Sequence, residues 1–314
     1  MNFKMGKSTR EAFGHALEKL GGEYPDIVVV DGDVNNSTYT EFFKKKYPDR
    51  FFNVGIAESD LVGVAAGLAS SGKRAWAASF AAFITCNAYD QLRMSVAFPC
   101  QDVKVVGTHA GISIGEDGPS QMGIEDVSLT CSLPNFTVVV PADEVSMEKA
   151  VRAVVALRTP VYLRAGRPKV PIIYPNGCDF QLGKSIRLRD GKDLTIIANG
   201  LMVAAALKAA ERLASQGLQA RVLDMHTVKP LDDAAVLAAA RDTRRIVVAE
   251  EHLLHGGLCG AVALSAARQQ PVPMRFVALK DTFAESGTPE GLLAKYGLTA
   301  SDIVREALDL VGKT

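Results

Sequence analysis

Short runs of β-branched and aliphatic residues recur along the chain, spaced widely enough to leave room for a helix between them. The first half carries DIVVVDGD at 26–33, RAWAASF at 74–80, DVKVVGT at 102–108, NFTVVVPAD at 135–143 and PVYLRAGR at 160–167. Apolar residues fill consecutive rather than alternate positions, as in strands covered on both faces, so the pattern predicts a largely parallel sheet flanked by helices. The intervening stretches carry the helical period, as in SDLVGVAAGLAS from Ser59, ITCNAYDQLRMSVAF from Ile84 and DEVSMEKAVRAVVAL from Asp143, with Asp143 and Ser146 placed to start the last of these.

The alternation pauses beyond Pro168, where Pro, Gly and polar residues replace the periodic pattern as far as about Gly191. It resumes with LTIIANG, QARVLDMH, RRIVVAEEH and MRFVALK, separated by alanine-rich helical stretches such as AAALKAAERLASQG. The expected class is α/β with two domains, each a mostly parallel sheet flanked by helices: 1–175, a linker over 176–191, and 192–314. A length of 314 residues suits two cores.

Composition narrows the function by exclusion. Lysine plus arginine and aspartate plus glutamate stand at 35 each, which removes the electrostatic case for a nucleic-acid or anionic-membrane partner. No stretch approaches the ~20 apolar residues of a spanning helix. Cys86, Cys100, Cys131, Cys178 and Cys259 are odd in number and lack CxxC spacing, arguing against a disulfide framework or zinc cluster and for a reducing, cytoplasmic setting.

The chemically richest stretch is FFNVGIAESDLVGVAAGLASSGK, where a short apolar run gives way at Gly55 to Glu58 to a helix of small residues. Glu58 is thus expected where a strand meets a helix. That is a common station for a ligand-facing group in an open α/β sheet, and equally a place where a carboxylate favours the positive end of a helix.

Taken in order, TREAFGHAL, DGDVNNST, FFNVGIAESDLVGVAAGLA, SFAAFITCNAYDQLR, GTHAGISIGEDGPS, VVVPAD and DMHTVKPLD resemble transketolase segments across nearly the whole chain. The resemblance implies a thiamine diphosphate-binding pyrimidine domain followed by a transketolase C-terminal domain. It casts Glu58 as the carboxyl that hydrogen-bonds N1′ of the cofactor's aminopyrimidine ring and favours its imino tautomer. Phe80 and Phe83 would lie against the ring face, Phe83 foremost, with Asp33 lining the site. Another aromatic usually stands in the family where this chain has Cys86.

The same resemblance makes His109 a catalytic and substrate-binding group near the reacting carbons and Asp117 an acceptor for a sugar hydroxyl. Arg164 and Arg167 would hold the anionic end of the substrate, with a structural ion pair as the alternative for either. Gln121 departs from the family, which commonly has histidine there, and so points to an altered sugar preference.

Three features point elsewhere at first sight. DGDVNN at 31–36 lacks the spacing of the family's Gly-Asp-Gly metal motif, His252 and His255 have no companion ligands, and KKK at 44–46 reads as a solvated face.

A complete transketolase begins with a further domain carrying the Gly-Asp-Gly metal motif, and only about 50 residues precede the Glu58 segment here, so the resemblance implies that the Mg2+ or Ca2+ and the diphosphate are held mainly by an N-terminal-type partner subunit, in a two-plus-two heterotetramer acting on sugar phosphates. The reaction that the resemblance implies is transfer of a two-carbon ketol unit from a ketose to an aldose. The alternatives are a 1-deoxyxylulose 5-phosphate synthase-like or 2-oxo-acid dehydrogenase β-type component, or a regulatory subunit without turnover.

Overall fold

The structure, a computed structural model, describes residues 3–312. Eight strands precede residue 175: β1 Met5–Ser8, β2 Ile27–Asp31, β3 Phe51–Asn53, β4 Arg74–Phe80, β5 Val103–Thr108, β6 Thr137–Val139, β7 Val161–Arg164 and β8 Lys169–Pro171. Six follow: β9 Ile186–Arg189, β10 Leu194–Ala198, β11 Ala220–Asp224, β12 Thr227–Lys229, β13 Ile246–Leu253 and β14 Met274–Leu279. They form a seven-stranded sheet in the order β12-β6-β7-β5-β4-β2-β3, a five-stranded sheet in the order β14-β13-β10-β11-β9, and the small pair β1-β8. The pairs β2/β3, β2/β4, β4/β5, β5/β7 and β6/β7 are parallel, as are β10/β11, β10/β13 and β13/β14.

The continuous apolar runs have a direct explanation in the packing. Along β2, Val28 and Val30 enter one apolar cluster with Leu61, Val62 and Ala65, whereas Ile27 and Val29 enter another with Phe13, Leu17, Met147 and Val151. Both faces are therefore covered, and the four positions Ile27 to Val30 are all apolar, with the buried Asp31 closing the strand. The helix Glu58–Ser70 buries Leu61, Val62, Ala65, Ala66 and Ala69. Truncating Leu61 to alanine is expected to cost about 2–5 kcal/mol and to loosen the seat of Glu58.

Helix Glu144–Val155 begins with a capping box formed by Asp143 and Ser146. The stretch from Ile84 is less regular than its periodicity predicts: it divides into Ala81–Cys86, Tyr89–Gln91 and a π-helical turn at Leu92–Ala97. At the first break the carbonyl of Asn87 accepts from Ser59 Oγ at 2.8 Å.

The segment expected as a linker is not wholly irregular. Its residues Ile186–Arg189 form β9, antiparallel to β11 at the edge of the second sheet. In the other direction, β12 leaves the second half and pairs antiparallel with β6 of the first sheet. Among the described residues no helix is long and apolar enough to cross a membrane.

Candidate active site

The site residues gather at the carboxyl ends of β3, β4 and β5. The register pairs Phe80 of β4 with Thr108 of β5, so Phe80 and the residue after β5, His109, come together. Their rings stack with centroids 3.8 Å apart and planes at 22°. Phe83 lies parallel to Phe80, at 5.7 Å and 6°.

Glu58 is the first residue of its helix and is 6 % exposed. Ser79, also buried, donates its hydroxyl to Glu58 Oε1 at 2.9 Å, while Oε2 makes no hydrogen bond among the described residues. A buried carboxyl with one anchored and one available oxygen, at the positive end of a helix, is set up to meet a hydrogen-bonding ligand.

His109 has a backbone φ of 58°, an unusual conformation for a residue with a side chain. Arg10 Nη1 lies 3.1 Å from His109 Nε2 and Thr108 Oγ1 lies 2.9 Å from Nδ1. A guanidinium can only donate, so Nε2 accepts and Nδ1 carries the proton toward Thr108, which itself donates to the Ser79 carbonyl. Burial, then the charges of Arg10 and Arg167, push the imidazole down to about 3. It is a neutral ring near neutral pH.

Arg10 was not singled out from the sequence. It sits at the start of helix Thr9–Glu23, donates to the Ser37 carbonyl at 2.7 Å and stands over the Tyr39 ring at 5.2 Å. Burial and the neighbouring charge of Arg167 lower its pKa, against the opposing pull of Tyr39 and Asp117. The clue available was TREAFGHAL, but the 99 positions between Arg10 and His109 hide their contact.

Asp117 lies 3.6 Å from Arg167 Nη1, and that guanidinium also donates to the Ile114 carbonyl at 2.6 Å and meets Glu116 at 3.3 Å. Arg10, Arg167 and Asp117 thus form a charged cluster. Gln121 closes the short turn Pro119–Gln121 and accepts from Ser120 Oγ at 2.6 Å. Asp33, exposed and at a φ of 65°, accepts from Asn53 Nδ2 at 2.6 Å. Asn53 in turn accepts from Gly55 N at 3.0 Å, tying the Asp33 turn to the one leading into Glu58.

Arg164 sits apart from Arg167. Its Nε and Nη2 bond Asp126 at 2.8 and 3.0 Å, Nη2 also reaches the Gly123 carbonyl at 3.0 Å, and Tyr162 donates to the same carboxylate at 2.5 Å. Its side chain is 7 % exposed and Asp126 is fully buried. This geometry matches the structural ion pair rather than an anion-binding arm. Of the two arginines, only Arg167 has its head in the charged cluster with Asp117 and Arg10.

Cys86 is exposed beside Glu125, and desolvation followed by that carboxylate pushes its thiol up to about 11, which keeps it protonated and poorly nucleophilic. His252 accepts from Ser128 N at 3.3 Å and its Nδ1 lies 2.7 Å from the Leu253 carbonyl, a structural role between the domains. Asp31 of DGDVNN accepts from Val34 N, Thr38 and Thr40, each at 2.8 Å, and so shapes its own turn.

A flat, protonatable ring fits what is present: an available carboxyl oxygen at Glu58 next to the aromatic surfaces of Phe80 and Phe83. Among the described residues no three His, Cys, Asp or Glu side chains are grouped to hold a cation.

The chain matches the sequence profile of the transketolase pyrimidine binding domain over residues 5–172 and that of the transketolase C-terminal domain over residues 183–303. It is 39 % identical to a candidate transketolase C-terminal section of Methanocaldococcus jannaschii, over 98 % of this chain and 97 % of that protein. It is 43 % identical to the 6-deoxy-6-sulfo-D-fructose transketolase subunit SqwH of a Clostridium species, over 95 % and 92 % of the two chains. A solved structure described as a split gene transketolase, an inactive beta4 tetramer, superposes with a TM-score of 0.92 at 44 % identity, covering 98 % of this chain and 99 % of that one. Against rat transketolase the chain spans about half, 51 %, of the relative's length.

Proposed function

The chain belongs to the transketolase family, and from that premise we propose that it is the pyrimidine-binding subunit of a two-component, thiamine diphosphate-dependent transketolase moving a two-carbon ketol unit between sugar phosphates. The observation that carries this reading is the Glu58 carboxyl, anchored on one oxygen by Ser79 and available on the other beside Phe80 and Phe83. Glu58 would hold and exchange a proton with the pyrimidine ring nitrogen, and Phe83 would present a flat apolar surface to the ring. When bound, thiamine diphosphate supplies the electron sink for breaking the bond next to a ketose carbonyl.

His109, neutral, with Nε2 accepting from Arg10 and Nδ1–H directed to Thr108, would stand as an uncharged ring beside the sugar and take a proton at Nε2 when Arg10 turns to the phosphate, rather than act as a cationic acid. Arg10 and Arg167 would receive the phosphate, for which fixed planar donors are suited. Asp117 would accept from a sugar hydroxyl, and Gln121 would tune which sugar is preferred. Asp33 would border the cofactor from the β2 side.

The diphosphate and its Mg2+ or Ca2+ are assigned to another polypeptide. Support comes from the lack of a cation cage among the described residues and from the apolar side chains flanking the Glu58 helix: Ile56 is 82 % and Phe98 79 % exposed, with Phe52 and Met94 close by in sequence and also exposed. Apolar surface of this kind suits burial against a partner. Calorimetry tests the assignment: the isolated chain should bind thiamine diphosphate weakly and lack ketol transfer, and addition of a diphosphate-binding subunit should restore both. Tight magnesium-dependent binding with full turnover by the chain alone would overturn it.

A further inference from the structure

The loop from Ala110 to Gly118, which follows His109 and carries Asp117, is shaped against the second domain. Gly111, Gly115 and Gly118 all have positive φ, at 80°, 88° and 83°. Each presses its Cα on a residue from beyond position 250. A methyl group on Gly111 would fall 2.2 Å from Glu251 Cδ, one on Gly115 3.1 Å from Pro289 Cδ, and one on Gly118 2.5 Å from Ser286 Oγ. Between them, Ile112 and Ile114 are fully buried in the same apolar cluster as Ile196, Val277, Leu279 and Leu292.

The polar centre of this contact is Glu251, near the end of β13. Its Oε1 accepts from the backbone N–H of Ser113 at 2.6 Å, and the residue is 5 % exposed. One residue past Ser113, the Ile114 carbonyl receives Arg167 at 2.6 Å. Glu251, Ser113, Ile114 and Arg167 therefore form a continuous path from the second sheet to the charged cluster that includes Asp117.

We propose that the second domain is the template of the substrate loop and that Glu251 is its positioning residue, fixing Ser113 and Gly111 so that Asp117 and Arg167 meet the sugar phosphate in register. The inference rests on the proposed ketol-transfer reading for its kinetic consequence. Glu251 touches no reacting atom in this scheme; it acts through the loop backbone. Burial, opposed by Arg164 and the Ser113 contact, pushes its carboxyl up to about 7. A neutral amide that keeps an acceptor oxygen is accordingly a close substitute.

The test uses Glu251→Ala and Glu251→Gln in the full chain, mixed with the diphosphate-binding subunit. Glu251→Ala should raise KM for a ketose phosphate at least tenfold with a smaller fall in kcat, and leave the Kd of thiamine diphosphate within twofold, because Glu58 and Phe83 stand on the first domain. Glu251→Gln should return KM to within about threefold of the parent. Hydrogen exchange at the amides of 111–118, read in the chain irrespective of turnover, should accelerate at least tenfold in Glu251→Ala and not in Glu251→Gln. Unchanged exchange in a folded Glu251→Ala chain overturns the inference, as does a KM that does not move in an active mixture. A mixture in which even the parent chain lacks ketol transfer sinks the functional reading instead, and the exchange comparison still decides the role of Glu251.

Discussion

Arg164 and Arg167 stand three residues apart at the exit of β7, and their replacement by methionine should produce opposite signatures. In Arg164→Met the Asp126 carboxylate loses both guanidinium bonds and keeps only Tyr162 in a fully buried setting. Removing one partner of a buried, hydrogen-bonded pair costs about 3–5 kcal/mol. With an unfolding entropy of about 2.1 cal/mol/K per residue, a chain of this length melting as one unit should lose roughly 5–8 °C in Tm.

Arg167 is 35 % exposed and its pairs with Glu116 and Asp117 are near the surface, so Arg167→Met should change Tm by no more than about 2 °C. If Arg167 holds the substrate phosphate, loss of a charge-assisted bond worth about 1.5–3 kcal/mol raises KM roughly 10- to 150-fold. Scanning calorimetry on the two variants and KM measurements with a phosphorylated and an unphosphorylated ketose form the assay. The KM effect of Arg167→Met should be confined to the phosphorylated sugar. A stable Arg164→Met with a raised KM, or an Arg167→Met that melts early and binds normally, would refute the division of labour.

Glu58→Gln should keep its fold by circular dichroism and lose nearly all turnover, because glutamine fills the space without exchanging a proton; activity within about twofold of the parent would remove Glu58 from the chemistry. His109 should remain neutral in ring NMR spectra between about pH 5 and 8, and a midpoint near its usual value of about 6.5 would contradict the burial and cationic surroundings found here. Since its folded value is depressed to about 3, the unfolded chain binds that proton first, so the contribution of His109 to stability is full above about pH 6.5 and is lost as the pH falls toward 3. Gln121→His should reorder kcat/KM across a panel of ketose phosphates, and an unchanged order would exclude this position as a specificity determinant.

The sequence exposed those parts of the fold whose causes are local. Val28 to Val30 and Val103 to Val106 announce strands because both faces of their sheet are covered, and Asp143 with Ser146 announces a helix start because the capping bonds lie within four residues. β9 and β12 were not legible: each is short, each lies at a sheet edge, and each exists through pairing with a strand distant in sequence. The division of the site was similarly hidden. Glu58, Phe80, Phe83 and His109 could be picked out by motif, but the conjunction of Arg10 with His109 and the separation of Arg164 from Arg167 depend on which side chain Asp126 captures. Glu251 lay within a legible strand, RRIVVAEEH, yet nothing in that strand reveals that its partner is an amide 138 positions earlier.

The crossing of β12 into the first sheet changes where the chain can be cut. By composition the seam lies near 176–191, and a fragment ending there would seem to keep a whole domain. That fragment would lack Thr227–Lys229, leaving β6 with a bare hydrogen-bonding edge, and an uncovered edge recruits strands from other molecules. The complementary fragment would carry the displaced strand with nothing to pair against. Gene dissection, tagging between domains and the construction of chimaeras should therefore treat 5–312 as one modular piece, with the seam drawn by strand partnership rather than by the look of the connecting sequence.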